Sequence, residues 1–435
     1  MRYTKNLKID DLLRPEISVA AVYLVFLLLA FISFKIANTR EFLLLPRGYF
    51  SSEPSFLAYA ISLSGIAVLF FSVKIGKKLA VPAAVQFGLP QGRWHFSPAS
   101  YRNLAHAILA SIFAAASLAL YLTFPLPVLA VFAASGSYAF LLWFIKRKDV
   151  NFLISVALVL AFFFSFLMLL GGVPILSAAS RQAAAIAPAR ALFHGFAVFS
   201  AVLLVAFYEK RRALAAIFLL ALLAAISGFK SDATAILVSA SIAGLLLGRI
   251  SARELLSVLI GVVFLLTVVS THIAGISYGD WKIAPQLYIF YRAGLTFSVF
   301  DRIVQLSFPS GYLHGAALLS TTQEIVSTAV LGYREPHIIT STLLGPGTLD
   351  FGIFGALLTC VLLGIYLGIM HDLRDAMRTC LYAIALTHTF ILIEVGMQLS
   401  SIIFYLSLLY LALVSRESRP VIVSVEPQKI KTAEG

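Results

Sequence analysis

Residues 311–332, GYLHGAALLSTTQEIVSTAVLG, decide how this chain is folded. The run is apolar enough to be taken for a membrane span, and counting it as one would invert every segment that follows. Gln323 and Glu324 interrupt it, and a charge near a helix centre costs about 2.5–3.5 kcal/mol on insertion. We therefore read it as re-entrant, or as a helix lying on the protein's outer face.

Working outward, the run belongs to Ala274–Asp350, the one long break in a series of apolar segments. The chain has 435 residues, 60% hydrophobic and 12% charged, with a mean hydropathy of +0.95. Lipid is the solvent that accepts so much apolar surface. At roughly 20 residues per span, the sequence predicts about twelve transmembrane helices. They are Ile17–Phe34, Phe56–Val73, Leu104–Thr123, Val128–Ile145, Asn151–Leu170, Ala191–Tyr208, Ala213–Ser227, Ala233–Leu247, Leu255–Ile273, Phe351–Met370, Leu381–Ile393 and Ile402–Val414. The apolar runs are continuous rather than alternating, which excludes a β-barrel. The expected fold is an all-α, polytopic integral membrane protein, a single domain over residues 1–435, with its long outer loop at 274–350.

The net charge of +13 is chiefly a topology signal, not a mark of nucleic-acid binding. Most of the 33 Lys and Arg fall in alternate connections, such as Lys146–Lys148 and Lys210–Arg212. Cytoplasmic segments carry that excess, so both termini are expected inside, with 415–435 as a cytoplasmic tail. The first apolar run is too long, and Lys35–Arg47 too charged and bulky, for a cleavable signal peptide. Lys74–Arg102 reads as a cytoplasmic connector anchored at the membrane surface, and Pro285–Phe308 as an interfacial amphipathic helix. Cys360 and Cys380 lie in or beside late spans and read as buried structural thiols.

The candidate chemistry gathers at the outer side. The long loop holds Arg292, Asp301, Arg302, Glu324, Arg334, Glu335, His337 and Asp350. Shorter outer segments add Arg181 and Arg190 after Gly171–Ser177, Lys230 and Asp232 in a tight turn, and His194. Guanidinium forks bind phosphate oxygens in pairs and stay protonated, so this cluster suits a phosphorylated substrate. Pairing with Asp232, Asp301, Glu335 and Asp350, or contact with lipid headgroups, is the alternative for each arginine. His337 in Arg334-Glu335-Pro336-His337 can accept a proton near neutral pH, with a neighbouring carboxylate to orient it. Asp350 can serve the site or cap the helix that follows.

The order of these pieces resembles the oligosaccharide repeat-unit polymerases of surface polysaccharide assembly, the Wzy-type or O-antigen polymerases. The resemblance rests on Gly171-Gly172-Val173-Pro174-Ile175-Leu176 with Arg181, Ser227-Gly228-Phe229-Lys230, Tyr291-Arg292, Arg334-Glu335-Pro336-His337, Thr340–Leu344 and Leu349-Asp350-Phe351-Gly352 with Gly355. Two departures stand out: Lys230 where arginine is more usual, and Gly345-Pro346-Gly347 where an aromatic often precedes Asp-Phe-Gly.

What the resemblance implies is transfer of a glycan from a polyprenyl diphosphate onto a second lipid-linked unit, on the extracytoplasmic side of the cytoplasmic membrane. It assigns the diphosphate to Arg181, Arg292 and Arg334 with Lys230, and proton removal to His337 or Glu335. Asp350, Asp232, Arg302 and His194 are supporting candidates. The expected partners are lipid-linked glycans and membrane lipids, with a chain-length-regulating co-polymerase and a flippase as protein partners. No metal or cofactor is expected, since Glu41 and Glu53 in the first outer loop stand far apart. An O-antigen-type ligase would look similar. A transporter is the alternative outside enzymes, but the chain shows no two related halves, and its ionisable residues crowd at one face.

Overall fold

The computed structural model describes residues 13–36, 53–85, 150–170, 172–181, 188–278, 283–320, 324–332, 339–373 and 375–414. Every regular element among the described residues is helical. In chain order they are α1 Pro15–Ser33, α2 Phe56–Val85, α3 Val150–Leu170, α4 Pro188–Phe207, α5 Lys210–Ile226 and α6 Lys230–Leu246. They continue with α7 Ala252–Tyr278, α8 Tyr288–Ser307, α9 Glu324–Leu331, α10 Gly345–Asp372, α11 Ala376–Val395 and α12 Leu399–Val414. Among the described residues, α1, α3, α10 and α11, with Phe56–Ala80 of α2, Ala189–Phe207 of α4 and Ala252–Ile276 of α7, make 7 segments long and apolar enough to cross a membrane. The expected spans Leu104–Thr123 and Val128–Ile145 lie outside the described residues.

Local chemistry sets several helix starts. Pro15 opens α1, where its missing N–H costs nothing, and Glu16 follows in the first turn. Ser251 and Glu254 form a capping box ahead of α7, with Ser251 N donating to Glu254 Oε2 at 2.8 Å and Glu254 N to Ser251 Oγ at 3.3 Å. Asp375 caps α11 through Arg378 N. Lys77 pairs with Glu16 at 2.6 Å, joining the end of α2 to the start of α1, so the two helices run antiparallel.

Two interfaces organise the bundle. The first is α2 against α10, where Gly364 and Gly368 lie four residues apart. A Cβ on Gly368 would run into Val73 O of α2 and the Gly76 backbone, and one on Gly364 into Leu69 O. Close backbone approach is what a small-xxx-small pattern provides where lipid removes the hydrophobic drive between helices. The second is centred on α6, which packs against α4, α5, α7 and α11. Its sequence is rich in Ala, Ser and Gly on every side, and Ala233, Ala235, Ile236, Ser239, Ala240, Ile242 and Ala243 are all buried. Because α6 is enclosed, its first turn opens at the end of the protein core rather than on its flank.

The structure revises two sequence expectations. The second span does not stop at Val73: α2 continues to Val85, so the connector from Lys74 begins as helix. Pro285–Phe308 is no surface helix. α8 packs against α1 and α10, and Phe297, Val299, Phe300, Ile303 and Val304 are fully buried. Two of its charged residues are tolerated inside because they have partners there: Arg292 pairs with Glu394, and Asp301 accepts from Ser55 N at 2.9 Å, at the start of α2, and from Gln305 Nε2 at 2.8 Å. Residues 311–332 follow the non-spanning reading. Their one helix among the described residues, α9, has 8 residues, or about 12 Å against a hydrocarbon core of roughly 30 Å.

A kink in α10 holds that loop. Phe351 and Gly352 depart from helical geometry, and Gly352 has φ 59°, a conformation glycine adopts without strain. Asp350 is completely buried and accepts from Ala317 N at 2.9 Å and Leu318 N at 2.7 Å. Leu349 O accepts from Tyr312 N, and Asp350 O from His314 N. Asp350-Phe351-Gly352 therefore clamps residues 309–319 onto the helix.

Candidate functional site

The first turn of α6, Lys230-Ser231-Asp232, lies where α4, α8 and α11 meet it, and two polar clusters are built around it. On one side Arg190 of α4 grips Asp232 with both arms of its guanidinium, Nε to Oδ2 at 3.1 Å and Nη2 to Oδ1 at 3.3 Å. His194, one turn further along the same face of α4, places Nδ1 3.1 Å from Asp232 Oδ1. The Arg190 guanidinium also lies over the Phe229 ring, 3.7 Å from its centroid. Burial alone would raise the Asp232 carboxyl, but Arg190 and His194 more than offset this and bring it down to about 2.

On the other side Lys230 Nζ donates to Tyr288 Oη at 3.0 Å. Arg292, one turn along α8 from Tyr288, pairs through Nε with Glu394 Oε1 at 2.5 Å and donates from Nη2 to Thr340 Oγ1 at 2.9 Å. Thr340 in turn shares a hydrogen bond of 2.8 Å with Thr296. Burial would raise the Tyr288 phenol, yet the Lys230 ammonium and the Arg292 guanidinium more than offset it and hold it below its ordinary value. Lys230 has no carboxylate within salt-bridge distance among the described residues.

Arg181 joins this end of the molecule through the chain. Ile175 N donates to Ile226 O at 3.3 Å, which lays the Gly172–Ser177 segment against the turn before α6. Gly228 in that turn has φ 75°, and a Cβ there would meet Arg181 Cδ at 3.6 Å. Arg181 thus packs two residues from Lys230.

Of the residues nominated from sequence, Arg181, Lys230, Asp232, His194 and Arg292 come together. Arg302 does not: it is exposed and donates to Gln305 Oε1 at 3.3 Å. Asp350 is committed to the backbone clamp. Arg334, Glu335 and His337 lie outside the described residues; Thr340, three positions after His337, is part of the second cluster. Among the described residues no three His, Cys, Asp or Glu side chains gather as a metal site. Cys360 and Cys380 are buried free thiols.

Sequence reasoning passed over Glu394, the carboxylate that faces Arg292. Its signal was available: it is an acidic residue ending the apolar run Ile391-Leu392-Ile393, and an ionisable group at such a place is a functional candidate by default. The sequence reading places Arg190 with the outer cations without a role, and assigns none to Tyr288.

The opposite end of the bundle is different in kind. It carries the Lys210–Glu254 pair at 2.6 Å, the Lys77–Glu16 pair and Arg249, whose Nη2 donates to Ala206 O at 3.2 Å. These groups stand at the other ends of their helices from Lys230, and among the described residues they form separate contacts.

Comparison with known proteins gives a family. The family model described as "Putative O-antigen polymerase" matches residues 14–406, most of the chain. No curated protein and no solved structure gives a match.

Proposed function

The chain belongs to the O-antigen polymerase family, membrane polysaccharide polymerases, and from that premise we propose that it joins lipid-linked oligosaccharide repeat units on the extracytoplasmic face of the cytoplasmic membrane. The donor glycan is carried on polyprenyl diphosphate, the acceptor is a second lipid-linked unit, and the reaction requires no metal. The observation that carries this reading is Lys230 on Tyr288 Oη, with Arg292 one helical turn from Tyr288 on α8 and Arg181 packed beside the turn that precedes Lys230. Diphosphate is a strongly anionic leaving group, and fixed donors aimed at charge that develops on departure are commonly the largest catalytic contribution, with one donor worth about 3 kcal/mol.

In this reading Arg292 and Lys230 hold the departing diphosphate, with Arg181 and Arg334 as further cations. Glu394 is the internal counter-ion that keeps Arg292 extended and oriented until substrate arrives. Thr340 fixes the second arm of the guanidinium, so that the fork is already aligned before binding. A lysine at position 292 would keep the charge and lose the fork. The sequence resemblance nominates His337, with Glu335 as its rival, for removal of the acceptor proton, and the described site holds a further candidate in His194.

The test is the lipid-linked glycan pool of a strain lacking this chain. Accumulation of single repeat units supports the polymerase. Long chains left unligated would instead mark a ligase, and an unchanged pool would remove the reading. Arg292→Lys should reproduce the deletion phenotype while the protein still accumulates in the membrane.

A further inference from the structure

We infer that His194, oriented by Asp232, is the group that takes the proton from the acceptor hydroxyl. The inference rests on the polymerase reading above and goes beyond it in naming the base within the described site.

The argument begins with Asp232. It is buried, with its side chain 4% exposed, and both oxygens are held by Arg190. An ionised carboxylate can only accept hydrogen bonds. Of two atoms 3.1 Å apart, His194 Nδ1 must therefore be the donor, and in the neutral ring Nε2 must carry the lone pair. A carboxylate that fixes the tautomer and stabilises the imidazolium once formed is how a histidine is made into a directed base. Among the described residues Nε2 has no hydrogen-bond partner. The His194 side chain is 22% exposed, so the ring is open to a ligand and not sealed in the core.

Position agrees with chemistry. Asp232 and Lys230 stand on the same helical turn of α6, so the carboxylate that orients His194 and one cation for the leaving group are carried by one rigid element. The charged and titratable groups facing His194 are Asp232 of α6, Arg190 on its own helix and His388 of α11. Arg190 is matched by Asp232, so the dyad does not face an uncompensated cation. The other acids of the site are otherwise engaged: Glu394 by Arg292, and Asp350 by two backbone amides.

The step balances as a displacement. The acceptor oxygen forms its bond to the anomeric carbon as the carbon–oxygen bond to diphosphate breaks. The bonding pair leaves on the diphosphate, and the hydroxyl proton passes to His194 Nε2 and then to water.

The experiment uses the full-length protein in membranes of a strain that lacks the chromosomal copy. If that strain shows no accumulation of single lipid-linked units, the polymerase reading fails and this inference with it. If single units accumulate, His194→Gln should slow chain extension about 10²–10⁴-fold, the range for loss of a general base. Normal chain lengths from His194→Gln would overturn the inference alone. A purely structural role is separated by chemical rescue: washed membranes of His194→Ala, loaded with their own accumulated single units, should resume extension on addition of imidazole. Failure of imidazole to restore extension in stably inserted His194→Ala would also overturn it. For Asp232 as the positioning residue, ¹⁵N NMR of the labelled histidine should show Nδ1 protonated in the wild type and a changed tautomer in Asp232→Asn. An unchanged tautomer would remove Asp232 from the role.

Discussion

Glu394→Gln removes the carboxylate facing Arg292 while keeping a side chain of nearly the same shape. In the native protein the pair is made at 2.5 Å, with side-chain exposures of 24% for Arg292 and 35% for Glu394. Breaking a fully buried pair costs about 3–5 kcal/mol, and an exposed pair contributes about 0–1 kcal/mol. This half-open pair belongs between them, and solvent screening at Glu394 brings the expected cost to about 1–3 kcal/mol. Arg292→Met should cost a similar amount, because it leaves Glu394 charged without a partner. The double variant should then cost little more than either single one, since the uncompensated charge is gone. Unfolding in mixed detergent micelles measures all four proteins, and the coupling is the shortfall from additivity. Inorganic pyrophosphate adds a functional arm. It should stabilise Glu394→Gln more than wild type, because Arg292 then lacks its internal counter-ion, and Arg292→Met least, since binding to the folded state alone raises stability. Single costs that add to within about 0.5 kcal/mol would refute the coupling. Equal pyrophosphate stabilisation of Glu394→Gln and Arg292→Met would show that Arg292 is not the anion contact.

The remaining predictions concern the scaffold. Asp350→Asn replaces one acceptor oxygen with a donor facing backbone N–H groups, and should destabilise by about 2–3 kcal/mol, seen as a lower unfolding midpoint and early proteolysis within residues 309–319. Gly368→Val drives a side chain into the backbone of α2 and should lower the yield of folded protein, with an over-packing cost of about 1–3 kcal/mol; normal yield and midpoint would count against the close α2–α10 contact. Ser310→Cys and Gly332→Cys, both at exposed positions, should react with an impermeant thiol reagent from outside the cell, with Cys360 and Cys380 silent because they are buried. Labelling of either only from the cytoplasmic side would reverse the assigned orientation.

What was legible in the sequence, and what was not, follows from how far apart the interacting groups lie along the chain. Helices such as α1, α3 and α10 could be read directly, because an apolar run of span length has one stable solution in lipid. The character of α8 could not. Arg292 and Asp301 give it the pattern of a surface helix, but their partners are Glu394 and Ser55, 102 and 246 residues away, and no local window reveals that the charges are satisfied inside. Asp350 was ambiguous for a related reason: its partners are the backbone amides of Ala317 and Leu318, which have no sequence signature. The cations of the site were legible, since Lys230, Arg181 and Arg292 interrupt apolar sequence at turns and loops where charge is conspicuous. Their counter-charges were harder to find. Glu394 sits at the end of a long apolar run and looks like a helix terminus, while Asp232 looks like a first-turn acid serving its own helix. In the folded chain both stand against arginines, so the site consists of two compensated pairs flanking Lys230. That arrangement changes what substrate binding must do. In the proposed reading, a diphosphate entering here competes with Glu394 for Arg292, so its affinity is set by the difference between two anions, while Lys230 offers charge that no described carboxylate holds within salt-bridge distance.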